Sequence, residues 1–324
     1  MGNLFKKYWF IIVVGVALLI GVIIYGSELS ANTIKGKKVN GENVVYSIGD
    51  EDITADEFYD SIYENSGLSI VAQQFQLALI DLSVEDTPEL LELAKTSAET
   101  QTNEIKAQYG ANYEEVIKDA VASLGYSEVA DLEKYLLTQY KFNSILETAV
   151  DELFDDFAAE QSPRIIRHIL VKMADPKNPT TEELAKIATV DEKLASGTNF
   201  NDVAIELSDD TGSATAGGLL GYQDLTSIEQ MVENFREPAM TTAAGKISEW
   251  ITTEYGQHLI YVEATDRDSL MNYQQELTNA ILAYNNDWIG NYFFEQAEKF
   301  NVVFADPAVE EGVKALFNYT GGNN

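Results

Sequence analysis

RIIRHILVKM, residues 164–173, reads as a β-strand, and the elements next along the chain decide the fold. The loop ADPKNP (174–179) leads to Thr180–Glu183, whose capping-box spacing opens a helix carrying Leu184, Ile187 and Leu194. Phe200, Val203, Ala204 and Leu207 mark a second, shorter helix. The Gly/Ser/Thr-rich turn DDTGSATAGG (209–218) runs into a short strand, LLGY (219–222). A further helix is expected to carry Met231 and Phe235, and after it come two strands, ISEWITT (247–253) and HLIYVEA (258–264). Strand–helix–helix–strand–helix–strand–strand is the order of an α+β module of about 100 residues, a small antiparallel sheet with surrounding helices.

On either side the texture is helical. VVYSIGDEDI (44–53) forms a strand–turn–strand, after which Thr54–Glu57 has capping-box spacing with Phe58 and Ile62 behind it. Leu68, Val71, Phe75 and Leu79 continue at helical steps. Thr87–Pro88 opens a helix that Gly110 ends. Tyr113, Val116, Ile117, Ala120, Val121 and Leu124 form an apolar stripe, and Ser127 starts a long helix toward Phe157, stopped by Pro163. Beyond the module, Leu270, Tyr273, Leu277, Ile281, Tyr284, Trp288 and Tyr292 recur at steps of three and four. That stripe suits either a coiled-coil seam or packing against the first helical segment. A short strand, VVF (302–304), an Asp306–Pro307 turn and a last helix end the chain. Residues 44–160 and 267–318 are thus expected to form one all-α body into which residues 164–265 are inserted. Tyr59, Phe75, Tyr135, Trp288 and Tyr292 either line a cleft in that body or fill its core.

The N-terminus has its own signature. After Lys6 and Lys7 comes YWFIIVVGVALLIGVIIY (8–25), uncharged and close to the roughly 20 residues that span a bilayer. The expected plan is a cytoplasmic tail (1–7), a single transmembrane anchor (8–25), a Gly/Asn/Lys-rich tether (26–43), and a body outside the cytoplasm. A cleaved signal peptide would export the same body. Across 324 residues, 53 acidic side chains face 21 basic ones, a formal charge of −32 that makes nucleic acid a poor partner. No cysteine is present, which removes disulfides, thiolate nucleophiles and Cys-ligated zinc. The two histidines, His168 and His258, leave little room for a histidine metal site or triad, and neither metal nor cofactor is expected.

The order of short motifs is similar to that of the parvulins. It runs through His168-Ile169-Leu170-Val171, Gly197-Thr198-Asn199-Phe200, Ser208-Asp209-Asp210-Thr211-Gly212-Ser213-Ala214 and Gly217-Gly218-Leu219-Leu220-Gly221-Tyr222. It continues with Met231, Phe235, Gly245-Lys246-Ile247-Ser248 and Tyr255-Gly256-Gln257-His258-Leu259-Ile260. The flanking helices, and the stretch from IGDEDIT to SLGYS, more loosely resemble the PrsA-type extracytoplasmic foldases of Gram-positive bacteria. The resemblance implies a peptidyl-prolyl cis–trans isomerase acting on unfolded or newly exported proteins, with self-association into a homodimer left open. It implies catalytic roles for His168, Asp210, His258 and Thr253, the histidines bonded to each other on adjacent strands. It assigns Leu220, Met231 and Phe235 to the pocket for the proline ring. Two departures stand out: Leu219 sits where an acidic or polar residue is usual, and Met240, Thr242 and Ala244 replace a more apolar, proline-containing segment.

Two readings compete. The parvulin module could be inert and the helical body a holdase. The acidic runs Asp50-Glu51-Asp52 and Asp151-Glu152 with Asp155-Asp156 could bind Ca²⁺, but they lack EF-hand spacing and read better as solvated turns and helix faces.

Overall fold

The computed structural model describes residues 37–122 and 125–321. The expected tail, anchor and most of the tether lie outside these residues; among the described residues, no helix is long and apolar enough to cross a membrane.

Two compact units emerge. One is continuous, Glu147–Asn286; the other combines the residues up to Leu146 with those from Asp287 onward. The continuous unit is built on a five-stranded antiparallel sheet. Strands β4 (Arg164–Lys172) and β8 (Gly256–Ala264) pair at its centre. β5 (Leu219–Gln223) flanks β4, while β6 (Lys246–Ile247) and β7 (Ile251–Thr253) both pair with β8. The expected strand ISEWITT is therefore two short pieces on one neighbour, with residues 248–250 between them.

Side chains alternate across a strand, so the central pair sorts its residues onto two faces. Ile169, Val171 and Leu259 face helices α6 (Thr181–Ala195) and α7 (Phe200–Leu207), packing with Val190, Phe200 and Val203. Ile166, Ile260 and Val262 face the opposite way and pack with Phe235 and Ala239 of α8 (Glu233–Thr241). Both histidines belong to this second face, because His168 pairs with Ile260 and His258 with Leu170.

The same unit includes the second half of α5 (Asp131–Gln161), α9 (Arg267–Leu270) and α10 (Gln274–Tyr284). Phe154 and Phe157 pack there with Leu270, Leu277 and Ile281. Leu219, the first residue of β5, packs against this apolar cluster, which gives a physical reason for an apolar residue at that position.

The other unit opens with a three-stranded sheet, β1 (Lys38–Val39), β2 (Glu42–Ile48) and β3 (Glu51–Thr54). This flanking body is therefore not wholly helical. Residues 38–43, within the expected tether, form β1 and a tight turn in which Asn40 and Gly41 take φ of 51° and 91°. Helix α1 (Ala55–Ile62) starts with the Thr54–Glu57 capping box. Helix α2 (Leu68–Ser83) is next, then α3 (Pro88–Tyr109), capped by Thr87, and α4 (Tyr113–Ala122). After the other unit come α11 (Trp288–Lys299) and α12 (Pro307–Leu316). Phe75, Leu79, Phe293 and Phe294 make one core; Ala94, Ile117, Val121 and Leu132 make another.

The stripe from Leu270 to Tyr292 is no seam, because Asn285–Asp287 interrupts the helix. Its first part packs in the cluster with Phe157, its last part around Phe293. Val302–Phe304 belongs to no strand despite its β-like composition. Of the five aromatics weighed for a cleft, Phe75 is in the core and Trp288 and Tyr292 pack on it. Tyr135 packs on the other core, and Tyr59 is exposed. Core filling accounts for four of them.

Candidate active site

The site forms where β4 outruns β5. Beyond the last β4–β5 pair, Arg167 with Leu219, the outer edge of β4 is taken up by the loop 208–218. The His168 amide donates to the Gly218 carbonyl (2.8 Å), Asp209 N to Leu170 O (2.7 Å), and Leu170 N to Ser208 Oγ (3.1 Å). Arg167 donates from Nη1 to Ala216 O (2.7 Å) and from Nε to Glu263 Oε2 (2.6 Å), tying the loop to β4 and β8. Gly218 is needed here: its φ is +75°, and a Cβ would lie 2.1 Å from the His168 carbonyl oxygen.

This pinning separates the two neighbouring aspartates. Asp209 accepts from Lys172 N (3.0 Å) and pairs with Lys186 Nζ (2.6 Å), so its carboxylate holds the loop. Asp210 points the other way, its Oδ2 lying 2.7 Å from His168 Nε2. His168 Nδ1 is 3.3 Å from His258 Nδ1, and His258 Nε2 is 2.8 Å from Thr253 Oγ1. The structure thus brings Asp210, His168, His258 and Thr253 into one chain of hydrogen bonds.

Acid–base chemistry sets the direction of that chain. Burial pulls the Asp210 carboxyl up, but hydrogen bonds from Ser213 and His168 outweigh it and hold the group below the ordinary carboxylate range. An ionised carboxylate can only accept, so the His168 Nε2 proton points at Asp210. Burial also pushes His258 down to about 4, with His168 contributing, and lowers His168 despite its carboxylate partner. Both rings are therefore neutral near pH 7. His168 Nδ1 must then accept, His258 Nδ1 must donate, and His258 Nε2 accepts the Thr253 hydroxyl proton. Thr253 Oγ1 in turn accepts from Tyr255 N (3.1 Å).

Phe235 closes the apolar side. Its ring stands nearly perpendicular to both imidazoles, with centroids 5.8 Å from His168 and 5.5 Å from His258. Arg164 fixes the helix that carries it, donating from Nη1 to Ala239 O (3.0 Å) and Thr242 O (3.2 Å) at the C-terminal end of α8. Leu220 and Met231 pack at the edge of the same cluster and remain half-buried, as does Met240. Met231 is not on the helix: it comes after a short 3₁₀ turn, Ser227–Gln230, in extended conformation, with its carbonyl accepting from Arg236 Nε (2.7 Å).

Ser213 is the site residue that sequence reasoning passed over. It is buried, donates to Asp210 Oδ2, and its Oγ lies 3.2 Å from His168 Nε2. It stands inside one of the parvulin-like motifs, but a serine in a Gly/Ser/Thr-rich turn carries no signal until the turn is folded.

Residues 168–264 match the PPIC-type PPIase domain, or rotamase. Foldase protein PrsA of Geobacillus kaustophilus is 28% identical over 241 residues, covering 73% of this chain and 75% of its own. Foldase protein PrsA of Oceanobacillus iheyensis is 27% identical over 280 residues, 82% of this chain and 83% of its own. A crystal structure of PrsA from Bacillus cereus aligns with 85% of this chain and 98% of its own at 20% identity, with a TM-score of 0.39. The chain thus carries, at residues 168–264, a parvulin-type peptidyl-prolyl cis–trans isomerase domain, and over most of its length it is similar to PrsA foldases.

Proposed function

We propose that this chain is an extracytoplasmic foldase that isomerises X-Pro bonds in exported, still unfolded proteins. The N-terminal apolar run and the similarity to PrsA foldases support its place outside the cytoplasm. The observation that carries the site assignment is the directed chain from Thr253 through His258 and His168 to Asp210, running beside an apolar patch of Leu220, Met231 and Phe235.

Prolyl isomerisation moves no proton and breaks no covalent bond; it lowers a rotational barrier of about 18–20 kcal/mol. In the twisted transition state amide resonance is lost, so the carbonyl oxygen carries less negative charge and the nitrogen more electron density. A fixed carboxylate near that oxygen favours the twisted over the planar form, because it destabilises the more negative oxygen of the ground state. Asp210 has this role. His168 and His258, both neutral, transfer no proton and instead hold Asp210 and the pocket floor in one orientation, with Thr253 fixing the tautomer at the far end. Leu220, Met231 and Phe235 receive the pyrrolidine ring.

The test is a protease-coupled assay on a proline-containing peptide with the full-length chain. Asp210→Ala and Phe235→Ala should each lower kcat/KM; unchanged rates in both would remove the site assignment. Protease accessibility of the body in intact cells tests the location, and complete protection would refute it.

A further inference from the structure

Residues 37–66 differ from the rest of the unit to which they belong. Thr54 is the one buried residue among them, and α1 buries none. Four of their large apolar side chains stay in solvent, while the others are half-buried: Ile48 is 70% exposed, Tyr59 64%, Tyr46 45% and Tyr63 39%. Tyr59 and Tyr63 stack on each other at 6.0 Å, and Tyr46 meets the edge of Phe58 at 6.4 Å. The strand in the middle of this segment is half covered. β1 pairs only with Glu42 and Asn43 of β2, and Lys37 O accepts from Val44 N. Further along, Tyr46, Ser47 and Ile48 pair with β3 on one side, and among the described residues no strand pairs with them on the other. An open edge flanked by exposed apolar side chains recruits another extended chain, and soluble proteins ordinarily block such edges with lysine, proline or a bulge; here the register shift falls between Val44 and Tyr46, and Tyr46, Ser47 and Ile48 beyond it stay in regular pairing with β3.

The charge around the edge selects the occupant. Residues 37–66 carry eight carboxylates against two lysines, and Lys37 is already paired with Asp52 at 2.6 Å. A second copy would bring the same excess of carboxylates, on a chain whose formal charge is −32. Repulsion disfavours that pairing, and the same field favours a cationic partner.

We infer that the open edge of β2, from Tyr46 to Ile48, docks an extended segment of an unfolded polypeptide that alternates apolar and basic residues. Main-chain hydrogen bonds to the edge are blind to sequence, as a carrier of varied clients requires. Ile48 and the Tyr59–Tyr63 pair offer apolar contacts, and Asp50, Asp56 and Asp60 meet the basic side chains. This rests on the reading of the chain as a handler of unfolded proteins, and it names the chemistry of the segment taken.

The probe is a fluorescein-labelled, proline-free decapeptide of alternating Val and Lys, titrated against the full-length chain. Two comparison peptides replace Lys by Glu or carry N-methyl groups on alternate amides. The Val/Lys peptide should bind about tenfold or more tighter than the Val/Glu peptide, and N-methylation should abolish binding. Ile48→Lys should weaken binding about tenfold while leaving the peptide isomerase rate unchanged. Equal affinity for the two charge patterns overturns the inference, as does insensitivity to both N-methylation and Ile48→Lys. A concentration-dependent dimer that Ile48→Lys dissociates would assign the edge to a second copy instead. A tenfold gain in affinity on deleting residues 1–36 would assign it to the chain's own N-terminal segment. Failure of the full chain to slow client aggregation, with Val/Lys binding intact, would refute the client-handling reading and leave the edge site standing.

Discussion

The β4–β8 sheet and the β1–β3 segment use the same elements to opposite ends. In the first, side chains on both faces of the central strands are covered, and even its polar groups are paired: His168, His258, Thr253 and Ser213 are buried within one hydrogen-bonded set. In the second, a hairpin and a capped helix bury only Thr54 and leave every other side chain exposed or half-buried. Regular backbone structure thus needs only local signals, whereas a preorganised site needs a second layer on each face. The proposed catalysis by electrostatics requires groups that do not reorganise, and the packed sheet over-determines them. The inferred binding of varied extended chains requires unpaired backbone, which the sparsely packed segment leaves along β2.

Mutations should separate the two regions by the size of their effect. Phe235→Ala removes a buried ring from the cluster under the imidazoles, and should cost about 3–5 kcal/mol of stability as well as activity. Urea unfolding monitored by circular dichroism checks it; a loss below about 1 kcal/mol would mean the ring is not core. Asp210→Ala should lower kcat/KM by about a hundredfold, the order seen when one fixed electrostatic group is removed from an active site. An equal loss in Asp210→Asn would point to charge, and full activity in Asp210→Asn to hydrogen bonding alone.

Ser213→Ala takes a donor away from the Asp210 carboxylate, a charged hydrogen bond of about 1.5–3 kcal/mol. The carboxyl pKa should rise, and the acid limb of kcat/KM should move to higher pH with KM little changed. A uniform loss at every pH would show a structural effect only.

Acid should act first on the site-bearing unit. His258 has its pKa lowered in the folded state, from an ordinary 6.5 to about 4, so the neutral ring is the form that folding favours. Its contribution to stability is complete above pH 6.5 and is lost as pH falls from there toward 4. Thermal melts should therefore show Tm falling between pH 6.5 and 4, and His258→Asn should flatten that dependence. The smallest effect belongs to the exposed segment: Ile48→Ala and Tyr59→Ala should change stability by less than about 0.5 kcal/mol, read in the same urea titrations. A larger loss would mean that the segment has a core in solution, and would break the contrast.

What the sequence determined by itself was local or periodic. The caps at Thr54, Thr87 and Thr180 form as their spacing predicts, since a capping bond joins residues three apart and needs no partner from elsewhere. The central strands RIIRHILVKM and HLIYVEA were legible too, and with them the placing of both histidines on adjacent strands, because motif order survives where identity is low. What only the tertiary structure decided depended on a partner distant in the chain. Val302–Phe304 has strand composition but no strand pairing, and Met231 lies outside the helix assigned to it because the chain turns through Ser227–Gln230 first. Asp209 and Asp210 are identical in sequence terms and differ because Lys186 lies beside one and His168 beside the other. Ser213 became a site residue only once the loop 208–218 was bonded along β4. Hydrogen bonds across the sheet and burial between layers are fixed by the folded arrangement, and no short window of sequence contains both of their ends.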